Sequence, residues 1–76
     1  MQVHAVDRNL NLHRVDADPK EVARGRFELK TGDKTVTVNM GGYVGKDDWA
    51  GFKTQDEAET FGMDQVAANL AGGRQR

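Results

Sequence analysis

The stretch Lys30–Met40, KTGDKTVTVNM, decides how this chain of 76 residues folds. A glycine followed by an aspartate, flanked by Thr, Lys and β-branched residues, is the signature of a tight hairpin. With Gly32 and Asp33 as a two-residue loop of the mirror type that places glycine first, Thr31 faces Lys34, Lys30 faces Thr35 and Leu29 faces Val36. Glu28 then faces Thr37, and Phe27 faces Val38. Every apolar residue meets an apolar partner. A three-residue loop would set Lys30 against Val36 and Leu29 against Thr37, mixing the two faces of the pair. The even register therefore predicts a buried row of Phe27, Leu29, Val36, Val38 and Met40. The opposite row is Arg26, Glu28, Lys30, Thr35, Thr37 and Asn39.

Upstream of the hairpin, DADPKEVARG carries a short helical signal. Asp18 caps, Pro19 occupies the first helical position and Gly25 terminates, which predicts little more than one turn at 19–23 and a strand at 25–31. Earlier still, the apolar clusters Val3, Ala5, Val6 and Leu10, Leu12, Val15 are separated by DRNLN. The side chains of Asp and Asn bond nearby backbone and tolerate left-handed geometry. Two short strands, about 2–7 and 11–16, are predicted there.

Downstream, GGYVGKDDWAGF interleaves glycines with Tyr43, Trp49 and Phe52. Glycine at this density marks bends or close backbone approach, so we expect a short strand at 42–45 and a loop over 46–53. TQDE at Thr54–Glu57 is a capping box that starts a helix, with Asp56, Glu57 and Glu59 favoured by its positive end. Met63, Val66, Ala67 and Leu70 share one stripe at 100° per residue, and Phe61 lies off it. The expectation is one helix over 54–71 kinked at Gly62, or two short ones, ending before Gly72 with a flexible basic tail at 72–76. The stripe would be the surface that packs on the sheet.

A chain of this length supports one core, so residues 1–76 are read as a single small domain. The absence of cysteine removes disulfides and thiolate metal sites from consideration. The first ten residues, MQVHAVDRNL, carry charges where a signal peptide needs an apolar run, and no long apolar segment follows; a cytoplasmic protein without membrane contact is expected. The net charge of -1 is unevenly spread. Residues 1–46 hold eight Lys/Arg against six Asp/Glu, whereas residues 47–71 hold one against six. Fields of this size are ordinary for a surface.

No constellation of chemistry stands out. His4 and His13 lie on separate strands without a partner motif. In KDDWAGFKTQDE the calcium-loop spacing fails, since Trp49 and Gly51 occupy positions that require oxygen ligands. MGGYVG lacks both the GxGxxG spacing and a GK[ST] ending. No cofactor, metal or catalytic set is therefore expected.

The fold class predicted is α+β, a small antiparallel sheet of three to five strands with the C-terminal helix packed on one face. The leading functional expectation is a small non-enzymatic interaction protein that binds another protein, a regulator or inhibitor of the kind common in bacteria and phages. Its candidate surfaces are the outer hairpin row, with Arg24, Arg26, Lys30, Lys34, Thr35, Thr37 and Asn39, and the aromatic loop, with Tyr43, Trp49 and Phe52. A nucleic-acid-binding module using the basic residues of the hairpin is the alternative. An assembly subunit, such as a homodimer, is the third reading.

Overall fold

The computed structural model describes residues 1–74. The order along the chain is β1 (Gln2–Val6), β2 (Leu12–Asp16), α1 (Pro19–Arg24), β3 (Arg26–Thr31), β4 (Lys34–Met40), β5 (Trp49–Phe52) and α2 (Gln55–Arg74). The strands form one sheet in the order β2-β1-β5-β4-β3, and the fold is α+β. All neighbouring pairs are antiparallel except β4 and β5, which are parallel.

The β3–β4 hairpin has the register that its apolar pairs demand: Thr31 opposite Lys34, Lys30 opposite Thr35, Leu29 opposite Val36, Glu28 opposite Thr37 and Phe27 opposite Val38. Gly32 opens the loop with φ of 62°, a conformation that costs glycine nothing and other residues more. β1 and β2 pair through a five-residue connection in which Asp7 organises the backbone. Its carboxylate accepts from the amides of Asn9 and Asn11 at 2.8 and 2.9 Å, and its carbonyl accepts from the Leu10 amide. Leu10 is thereby held at φ of 67°, in the left-handed region that β-carbon sterics disfavour.

The sheet carries a separate apolar layer on each face. On one face Val3, Ala5, Phe27 and Val38 pack together, and α1 covers them through Val22. Asp18 caps α1, accepting from the Lys20 amide, and the Gly25 amide closes its C-terminal end on Glu21 and Val22. On the other face Val6, Ala50 and Phe52 receive the first turns of α2 through Ala58 and Phe61.

The glycine-rich segment departs from expectation. No strand forms at 42–45; the fifth strand is Trp49–Phe52, and residues 41–48 carry the chain from the end of β4 back to a parallel neighbour. Such a crossover ordinarily takes a dozen residues or more and contains a helix. Eight suffice here because the loop is stitched to its surroundings. The Gly41 amide donates to the Gly51 carbonyl, Asp48 accepts from the Gly45 amide and from Asn39 Nδ2, and Arg8 donates to the Gly45 carbonyl. Gly51 permits the close packing of β4 on β5, since a β-carbon there would lie 2.8 Å from both Val38 Cγ1 and Met40 Sδ.

The C-terminal helix differs in extent and packing. It runs without interruption through Gly62 and past Gly72 to Arg74, so neither the break nor the early stop is observed, and residues 75–76 of the expected tail lie outside the described residues. Thr54 caps it as expected, the Glu57 amide donating to Thr54 Oγ1 at 3.2 Å, but the Glu57 carboxylate accepts from the Thr54 hydroxyl rather than from the Thr54 amide, so the capping box is half formed. The stripe of Met63, Val66, Ala67 and Leu70 does not pack on the sheet; these residues are exposed. The seat belongs to Ala58 and Phe61, which point to another side of the helix. No helix of the described residues is long and apolar enough to cross a membrane.

Candidate docking surface

The outer hairpin row divides once the strands are placed. Register puts Arg26, Glu28 and Lys30 on one face with Thr35, Thr37 and Asn39, as expected. Lys34, paired with Thr31, falls on the opposite face, and Arg24 belongs to α1. Asn39 is a correction: it is buried, and its amide donates to Asp48 at 2.6 Å to secure the crossover. The free part of the row is Arg26, Lys30 and Thr35 around a central glutamate, with Thr37 half-buried. A groove bordered by Glu21, Arg24, Arg26 and Glu28 is balanced in charge, so it offers no concentrated field to a polyanion.

The aromatic residues are committed to packing. Phe52 is buried against Phe61, with ring centroids 5.1 Å apart, which removes it as a surface anchor. Tyr43 meets Phe61 edge-on at 4.9 Å, donates its hydroxyl to the Asp7 carbonyl and lies beneath the Arg8 guanidinium, 4.0 Å from the ring centroid. Burial raises the Tyr43 phenol above its ordinary pKa. Trp49 is half-buried and stacks on His13 at 4.6 Å, while His13 Nε2 donates to Asp7 Oδ2 at 2.8 Å. Burial pushes the Asp7 carboxyl upward, but the bonds from His13 and from the amides of Asn11 and Asn9 outweigh it and hold the group below its ordinary value. Asp7, His13 and Trp49 thus form a brace between the first hairpin and β5. His4 and His13 do not converge, because His4 pairs with Arg14 and His13 with Ala5, on alternate faces of the sheet.

The surface without a structural task lies along α2. An open groove of about 580 Å³ runs between the helix and the first hairpin, lined by Leu10 and Leu12 on one side and by Glu59, Gly62, Met63, Val66, Ala67 and Leu70 of α2 on the other. Leu12 is 40% exposed, Val66 46%, Leu70 62% and Met63 73%. Together they equal about two free-standing apolar side chains, whose burial would contribute about 3–6 kcal/mol. Scattered exposed leucines are normal, whereas here the exposed apolar side chains are gathered along one groove. Sequence reasoning assigned these residues to the core. The signal against that was Phe61, which sits about 160° from Met63 around the helix and so defines a second apolar side.

No family model, curated protein or solved structure matches the chain.

Proposed function

We propose that this chain is a non-enzymatic interaction protein that binds another protein chain along the second apolar side of α2. The observation that carries this reading is that one helix has two apolar sides, and the fold uses only one. Ala58 and Phe61 hold it to the sheet, while Met63, Val66 and Leu70 face an open groove. A partner presenting an apolar ridge would fill the groove in the manner of a helix laid against a helix. The acidic residues of α2, Asp56, Glu57, Glu59 and Asp64, flank the stripe in sequence and would favour basic residues at the margin of the partner.

Site-specific photo-cross-linking tests this. A photoreactive residue at position 70, in cells that make the protein, is expected to yield a covalent protein adduct, whereas the same residue at position 30 yields none. Adducts at position 30 alone would overturn the assignment and return attention to the hairpin face.

A further inference from the structure

We infer that the occupant of the α2 groove is the α2 helix of a second copy of this chain, packed antiparallel about a two-fold axis near Val66 and Ala67. This rests on the reading of the groove as a protein-docking surface and names the partner. Three features support it.

The first is self-complementarity. A two-fold interface brings the same patch together from both sides, so each residue needs a mate on its own stripe. With the axis between Val66 and Ala67, Met63 of one copy faces Leu70 of the other, and Val66 faces Ala67. Large residues then meet large, and Gly62 and Ala67 leave room for the helices to approach. The second is extent. A minimal specific interface takes about 500 Å² from each side. The exposed parts of Leu12, Met63, Val66 and Leu70 with the adjoining groove floor reach that lower end and little more, which suits a dimer exchanging with monomer at about 1–100 μM. The third is charge order. The sequence of α2 places its acids at 56, 57, 59 and 64, all in its first half. Antiparallel pairing sets the acidic half of each helix away from that of the other and opposes the two helix dipoles favourably. A parallel pair would align acid with acid.

Because the chain contains no cysteine, single cysteines report the arrangement directly. Under mild oxidation Ala67→Cys is expected to form a disulfide-linked dimer. Met63→Cys mixed with Leu70→Cys is expected to give the heterodisulfide at least tenfold over either homodisulfide. Glu57→Cys, on another side of the helix, is the control and should form no disulfide-linked dimer. Sedimentation of the unmodified chain over a dilution series should show a monomer–dimer equilibrium that Val66→Glu shifts at least tenfold toward monomer, with the circular dichroism spectrum of the folded chain retained. A preference of Met63→Cys for itself would overturn the antiparallel geometry. A chain that stays monomeric at about 1 mM would overturn self-association. If position 70 then cross-links to a different protein, the docking surface stands and only its occupant is wrong.

Discussion

Individual residues show most sharply where this fold is tight and where it is open. Gly51 lies in the middle of the sheet, and an added methyl would collide with Met40 Sδ and with Val38, whose side chain is wholly buried. Gly51→Ala should therefore destabilise by about 1–3 kcal/mol in urea unfolding, the cost typical of overpacking. Gly62 provides the contrast, since its helical position has open space around the missing β-carbon. Gly62→Ala should stabilise by about 0.5–1 kcal/mol, as expected when glycine leaves a helix interior. Asp7 makes the acid side of the stability profile predictable. Its folded pKa is depressed, so its contribution is complete above the unfolded value of about 3.9 and fades as pH falls through the lower folded value. Asp7→Asn should flatten the loss of stability between neutral pH and about pH 3, measured by thermal unfolding at a series of pH values. An unchanged slope would mean that the brace of Asp7, His13 and Trp49 contributes nothing to folding.

At the scale of elements, what could be read in advance depended on whether the deciding contact was local. The β3–β4 register was legible because only one alignment pairs Phe27 with Val38 and Leu29 with Val36, and a turn of two residues enforces it. The bounds of α1 were nearly legible for the same reason, since Asp18, Pro19 and Gly25 signal start and stop within eight residues. The β4–β5 crossover was not. Its strand pairing depends on Asn39 reaching Asp48 and on a bare Gly51 receiving Met40, neither of which has a periodic signature. Asn39, at an outward register position, was read as part of a docking surface, and it is in fact the tie that holds the loop. The helix was misread through a sound rule applied to one side too few. A stripe of period 3.6 marks an apolar surface, but it does not say whether the sheet or another chain will cover it. Phe61, with only the small Ala58 beside it on the other side, outweighs the four-residue stripe because Tyr43 and Phe52 surround it with aromatic area. Phe61→Ala should then cost about 3–4 kcal/mol of stability, toward the low end for a half-buried aromatic, whereas changes on the stripe leave unfolding nearly untouched.

At the scale of the whole molecule, the shape follows from this division of labour. The chain measures 42 × 27 × 19 Å, elongated for its size, and α2 accounts for about 30 Å of helix seated on the sheet by its first turns. The two small apolar layers leave little to spare, so apolar residues that face water along about two helical turns call for a reason outside the fold. We assign that reason to contact with another chain. The claim reduces to whether the stripe belongs to an interface or to the core, and the unfolding free energy of Met63→Gln/Val66→Gln/Leu70→Gln decides it, measured by urea titration of dilute protein beside the unaltered chain. Glutamine matches these residues closely in helix propensity, so the account predicts agreement within about 0.5–1 kcal/mol. A loss of about 4 kcal/mol or more, the cost of emptying a core, would contradict it.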